Sequence, residues 1–344
     1  MRALVYRGAN DLRVEERPVR DPGHGEALLR VGACGICGTD LRIASGAHRA
    51  YPEGTVRVPG HEIAGTIEAV GDAVDLAEGA TAFVAPNVGC GRCRPCLAGR
   101  VNLCRTPRAL GITDDGGFAE YVLLDEQLVA QGNVLVTDGA VDAAALALVE
   151  PLACALRGSN ACDIREGDLV VIVGAGPIGL MHLLVAQLRR PAAILVSEPS
   201  AARREQADRF GADATVEPAE LEAAVLDRSD GLGADVVVTA APSPDAQRQA
   251  LELAAPGGRV NFFGGLPRDG SRVELDTNLI HYRELVVTGT TANNTEDCRQ
   301  ALELVVAGAV DTGALVGSRK PLAEAAEAFE AAGSGDVMKV VVQP

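Results

Sequence analysis

Four cysteines fall within fifteen residues, Cys90, Cys93, Cys96 and Cys104, in the run GCGRCRPCLAGRVNLC. Gaps of two, two and seven residues let four sulfurs turn toward one point, the tetrahedral shell that Zn²⁺ prefers. Gly91, Pro95 and Gly99 interrupt regular structure, as a loop wrapped around an ion requires. Four thiolates leave no position open for a substrate, so this zinc is structural. Disulfides are disfavoured because the amino-terminal run MRALVYRGANDLRVEE lacks the basic region and apolar core of a signal peptide. A ferredoxin-type iron–sulfur cluster would have three residues in the last gap, not seven.

A second set of chemically capable residues is scattered. Cys37 stands in GICGTD, His61 and Glu62 in PGHE, and Glu150 in LVEPL. One thiolate, one imidazole and one or two carboxylates make the kind of zinc shell that keeps a position open for catalysis. Singly each is weak: cysteines such as Cys34, Cys154, Cys162 and Cys298 read as ordinary buried side chains. His24, His182 and His281 have no partners at ligand spacing.

A third motif is VVIVGAGPIG, with Gly174, Gly176 and Gly179 around Pro177 and Ile178. An apolar strand runs into it and a helix opens from it, so amides at the helix start can face a pyrophosphate. The next strand ends at Glu198, 24 residues after Gly174, where a carboxylate can accept from both ribose hydroxyls of NAD and repel the extra phosphate of NADP. Arg203 lies where it would run along the adenosine.

The surrounding elements change character near residue 165. Before it come glycine-punctuated β runs at 3–8, 26–35, 62–71 and 116–124, the pattern of an antiparallel, barrel-like domain. After it, apolar strands at 169–173, 193–197, 235–239, 259–263 and 284–289 alternate with helices, the first expected to reach Arg190. This is the pattern of an α/β domain with a parallel sheet covered on both faces. A length of 344 residues fits two domains. No apolar run is long enough to span a membrane, and a net charge of −16 argues against binding nucleic-acid backbones. Only Lys320 and Lys339 are lysines among 31 basic residues, a bias read as composition without function.

Taken together, CGTD, GHE, the four-cysteine loop, EPL and GAGPIG resemble, in that order and over essentially the whole chain, the zinc-dependent medium-chain alcohol dehydrogenases. The carboxylate of EPL is similar to the sorbitol (polyol) and threonine dehydrogenase branch. The resemblance implies a GroES-like β-rich catalytic domain over 1–152, completed by 291–344, and a doubly wound Rossmann NAD-binding domain over 153–290. It implies an active cleft between them, two zincs per chain, NAD as cofactor, and a cytoplasmic homodimer or homotetramer. Cys37 and His61 would ligate the catalytic zinc, with Glu62 and Glu150 as the remaining candidates. Thr39 would pass a proton to and from the substrate oxygen, and Asp40 would cap a helix or support a ligand.

Two departures bear on the substrate. Arg42 stands where many relatives carry a relay histidine five residues after the ligand cysteine, and arginine is no base at ordinary pH. The relay would then run through His48, water or the ribose. In TGTTANNTED, Ala292 and Asn293 replace the arginine–tyrosine pair often found in sorbitol dehydrogenases; Asn293 and Asn294 would cap the helix from Thr295 or bind hydroxyls. Zinc lowers the pKa of an alcohol proton, which readies the carbinol carbon to give hydride to a nicotinamide. The leading expectation is NAD-linked oxidation of a polyol, cyclitol or sugar-derived secondary alcohol. The alternatives are an L-threonine 3-dehydrogenase, with Arg42 or Arg49 holding the carboxylate, and a non-catalytic zinc- and NAD-binding protein.

Overall fold

The strand Ala27–Gly35 is the hub of the first of two units in this computed structural model, which describes residues 1–138, 140–267 and 270–344. That unit comprises Met1–Ala153 with Asn293–Pro344; the other is Cys154–Ala292. Ala27–Gly35 pairs antiparallel with Glu62–Val70, Tyr121–Leu124 and Lys339–Gln343. From Glu62–Val70 the seven-stranded sheet continues through Thr81–Val84 to Val134–Thr137; on the other side Lys339–Gln343 pairs in parallel with Val316–Pro321. Alternating apolar side chains such as Leu29, Ile63, Ile67, Phe118 and Val342 fill its core.

Two helices in this part of the chain, Ala143–Ala147 and Val149–Ala161, depart from the β-rich pattern expected before residue 165. Alanine and leucine dominate AAALALVEPLACALRG, and both favour helix. Pro151 is tolerated because it falls in the first turn, where amide donors lack helical partners anyway.

In the second unit six parallel strands lie in the order Ala214–Val216, Ala193–Ser197, Leu169–Val173, Ala234–Thr239, Ala254–Phe262 and Val286–Thr288. The order reverses between Leu169–Val173 and Ala234–Thr239, the switch point at which such sheets bind dinucleotides. All five residues of LVVIV are buried, as a strand covered on both faces requires. The helix after it spans Pro177–Gln187, three residues short of the expected end. Among the described residues no helix is long and apolar enough to cross a membrane.

Candidate metal centres and nucleotide-binding loop

The four clustered cysteines lie on one irregular loop. Cys93 caps the four-residue helix Arg94–Leu97, and Cys104 follows the short 3-10 turn Val101–Leu103. The four sulfurs all lie within 4.8 Å of one another, with Cys93 Sγ 3.4 Å from Cys96 Sγ and 3.8 Å from Cys104 Sγ. These separations exceed the ~2.05 Å of a disulfide. They approach the ~3.8 Å edge of a tetrahedron built with ~2.3 Å Zn–S bonds. Burial opposes a Cys104 thiolate, but the amides of Cys90 and Thr106 donate to its sulfur at 3.2 and 3.4 Å and bring its pKa down to about 6. Burial and the adjoining Cys93 push Cys96 up to about 12, and a cation among the four sulfurs would offset that crowding.

The second cluster is drawn from distant segments. Cys37 is the N-cap of the helix Gly38–Ala44 and accepts from the Thr39 amide at 3.1 Å, while Asp40 reaches back to the Cys37 amide at 3.0 Å. This capping box fixes the sulfur beside His61, whose Nε2 lies 3.2 Å from Cys37 Sγ. That is near the ~3.5 Å between a sulfur and a nitrogen bound to one tetrahedral zinc. On the far side of the imidazole, Nδ1 faces Asp40 Oδ1 at 3.6 Å, and neither buried atom has a hydrogen-bond partner among the described residues. Carboxylates commonly orient metal-binding histidines in this way, through the ring nitrogen that does not bind the metal. Burial disfavours the imidazolium, yet Cys37 and Asp40 outweigh it and raise the His61 pKa well above its ordinary value. With ligand atoms of Cys37, Asp40 and His61 within 4.8 Å of one another, this group could hold a metal ion.

His61 belongs to a second trio, with Glu62 and Glu150, whose ligand atoms also lie within 4.8 Å of one another. The two glutamates are held differently. Glu62, fully buried, pairs in register with Gly35, where a Cβ would stand 1.9 Å from the Glu62 carboxylate. Glycine is therefore required opposite it. Both Glu62 oxygens accept from Lys339 Nζ, at 2.7 and 2.6 Å, and Lys339 also donates to the Ile36 carbonyl at 2.9 Å. Lys339 is only 4% exposed, so one of the two lysines first read as compositional is the buried counter-charge of this cluster. Glu150, in the first turn of Val149–Ala161, accepts instead from the Asn293 amide, at 2.6 Å to Oε1 and 3.1 Å to its backbone oxygen. Burial pushes the Glu150 carboxyl above its ordinary range; Glu62 adds to this, against the pull of His61 and Asn293.

Asn293 thus neither caps a helix nor lies open to a substrate hydroxyl. Asn294 is the cap of Thr295–Val306, in a capping box with Asp297. Sequence reasoning missed both Lys339 and the Asn293–Glu150 contact, since nothing local marks a partner 277 or 143 residues away. Arg42 donates to Thr39 Oγ1 at 3.2 Å. Burial lowers the pKa of His48, and Arg42 and Arg49 add to the effect. Cys34, Cys162 and Cys298 are buried and Cys154 is half-buried; none of the nine cysteines forms a disulfide.

In the second unit Gly174 has φ +107°, open to glycine at low cost, and a Cβ on Gly179 would meet the Gly174 oxygen at 1.9 Å. No atom lies within 4 Å of where a Gly176 Cβ would stand, and Gly176 and Pro177 begin the helix without a side-chain cap. Ile178 follows in its first turn. Glu198 Oε2 accepts from the Ala175 amide at 2.9 Å, tying the acid to the glycine loop, and Oε1 accepts from the Ser200 amide at 3.1 Å. Arg203 lies half-buried on Ala201–Arg209, and its neighbour Arg204 braces this turn by donating to the Glu198 and Pro199 carbonyls.

Two family models match the chain: the alcohol dehydrogenase GroES-like domain over residues 23–133 and the zinc-binding dehydrogenase domain over 177–307. An L-threonine 3-dehydrogenase of Saccharopolyspora erythraea is 35% identical over 99% of this chain and 98% of its own. A sorbitol dehydrogenase of Halalkalibacterium halodurans is 30% identical over 100% and 99%. A solved structure named for a zinc-binding dehydrogenase of Sinorhizobium meliloti 1021 bound to NADP superposes with a TM-score of 0.91 at 36% identity, covering 100% of this chain and 99% of that one. With its GroES-like and parallel-sheet units and these full-length relatives, the chain belongs to the zinc-dependent medium-chain alcohol dehydrogenases.

Proposed function

We propose that this dehydrogenase moves hydride between a secondary alcohol of the polyol, cyclitol or sugar-derived class and NAD, interconverting alcohol and ketone. The observation that carries this reading is the contact of Cys37 Sγ with His61 Nε2 at 3.2 Å, beside two buried glutamates. Cys37, His61 and the carboxylates of Glu62 and Glu150 would hold a catalytic zinc; Cys90, Cys93, Cys96 and Cys104 would hold a structural one. Zinc at the first set would lower the pKa of the substrate hydroxyl and polarise the ketone in the reverse direction. The Thr39 oxygen accepts from Arg42, which keeps the Thr39 proton for donation toward the substrate. Gly174, Gly176, Pro177, Ile178 and Gly179 present backbone amides to the pyrophosphate. Glu198, with Arg203 nearby, receives the ribose hydroxyls and disfavours a 2′-phosphate.

The Sinorhizobium structure is named as bound to NADP, whereas NAD preference in this chain would rest on the Glu198 carboxylate at the ribose. Glu198→Gly is expected to erode that preference; an unchanged NAD/NADP ratio would contradict the assignment. A second reading, a carboxylated alcohol such as L-threonine, is favoured by Arg42 and Arg49, which have no ion-pair partner among the described residues. Reduction of NAD across polyols, inositols, sugars and threonine separates the two; activity on threonine alone overturns the first. The third reading, binding without turnover, predicts no activity with any of them. Nine cysteines without a disulfide among them support a reducing, cytoplasmic setting. The edge strand Val286–Thr288, with Val286 and Tyr282 exposed, supports assembly into a dimer or tetramer.

A further inference from the structure

Resting on that zinc-site reading, we propose that Asn293 is a positioning residue for catalysis: it fixes the Glu150 carboxylate toward His61 and is itself locked in one orientation by Asn87. An asparagine amide can face either way, and its oxygen and nitrogen do opposite things to a carboxylate. Here the choice is forced. Asn87 Nδ2 donates to Asn293 Oδ1 at 2.9 Å and to the Asn293 carbonyl at 3.2 Å, and Cys298 Sγ donates to the same Oδ1 at 3.4 Å. With two donors on its oxygen, Asn293 turns its NH₂ group to Glu150, where it meets both the carboxylate and the backbone oxygen of that residue. A flipped amide would set oxygen against oxygen at 2.6 Å.

The arrangement addresses a difficulty peculiar to this pocket. Glu62 and Glu150 are both buried and close to one imidazole, but Lys339 makes its ion pair with Glu62. Glu150 accepts from the neutral Asn293 amide, a contact that fixes the direction of the carboxylate. Asn87 closes the chain from the two-residue strand Asn87–Val88, just before the four-cysteine loop, and that strand pairs with Arg108–Ala109 just after it.

The test is zinc affinity by chelator competition on the full-length protein, with the four-cysteine zinc as internal control, in Asn293→Ala, Glu150→Gln and the double variant. Groups that orient metal ligands are worth about 10- to 100-fold in affinity or activity. Asn293→Ala is expected to weaken the catalytic zinc by about tenfold and kcat/KM with it, to leave the other zinc and NADH binding intact, and to add nothing in the Glu150→Gln background. An unchanged affinity, or the same fold-loss in both backgrounds, overturns the role of Asn293. If Glu150→Gln itself leaves zinc bound as tightly as before, Glu150 is no ligand and the proposal falls with it; loss of the second zinc only in Cys37→Ser would show that the zinc-site reading still stands. Should Asn293→Ala not fold, Asn87→Ala removes the lock alone and is expected to give a smaller loss in the same direction; no loss overturns the proposal.

Discussion

The two cysteine-bearing clusters solve the problem of crowding anions in opposite ways. The loop cluster takes all four groups from fifteen consecutive residues, and backbone amides are the donors to Cys104. The assembled cluster draws Cys37, His61 with Glu62, and Glu150 from three segments and surrounds them with dedicated partners: Asp40 behind the imidazole, Lys339 on Glu62, Asn293 on Glu150. A site that only binds needs its ligands. One that must also keep a position open for a substrate needs each ligand restrained by something other than the metal.

Cys37→Ser against Cys96→Ser is the sharpest break of this comparison. Losing a catalytic zinc forfeits several kcal/mol of transition-state stabilisation, so Cys37→Ser is expected to cut kcat/KM by about 10³-fold or more. It should retain one zinc per chain and near-normal thermal stability. Cys96→Ser should open the 90–104 segment to proteolysis and lower Tm while keeping most of the activity. Reversed outcomes would mean the loop cluster is the working one.

Lys339→Met tests whether the assembled cluster is compensated by the protein. Removing one partner of a buried pair costs about 3–5 kcal/mol, because the other charge is left buried. With Glu62 fully buried, urea denaturation should show a loss of that order, most of it regained in Lys339→Met/Glu62→Gln. A single variant as stable as the parent would remove Lys339 from its role.

A smaller effect separates acid release of metal from acid damage to the fold. His182 is buried in the other unit, edge-on to Phe263 with Ser159 Oγ 3.2 Å from Nδ1, and burial pushes its pKa down to about 3. The unfolded chain, with a histidine pKa near ~6.5, binds this proton between the two values. Stability from His182 is thus complete above about pH 6.5 and declines as pH falls toward 3, by at most ~1.4 kcal/mol per pH unit. Denaturation of His182→Leu across that range should show a flatter slope at unchanged zinc content. A slope identical to the parent's would leave the acid sensitivity to the metal clusters.

What could be read in the chain follows the same division. Cys90 to Cys104, the glycines from 174 to 179 and Glu198 are legible because the chemistry depends on short spacings or on a strand and the helix after it. Cys37, His61 and Glu150 are individually mute; only the resemblance of CGTD, GHE and EPL to a family brought them together. The helical start of Val149–Ala161 was hidden by proline at 151, and Asn293 by Asn294, whose capping role suits either residue on paper. Lys339 sits in KVVVQ, a run that reads as an ordinary buried strand, and only the pairing of that strand with Ala27–Gly35, Val341 opposite Gly35, carries the amine to Glu62.

That register sets an order of events during synthesis. Cys37, His61, Glu62, Glu150 and Asn293 all leave the ribosome before Lys339, whereas the four-cysteine loop emerges whole. Until Lys339–Gln343 docks on Ala27–Gly35, Glu62 has no counter-charge and burying it is unfavourable. The nascent chain would therefore complete the four-cysteine loop, the proposed site of a structural zinc, early, while the proposed catalytic centre stays open and wet until the strand carrying residue 339 has been made.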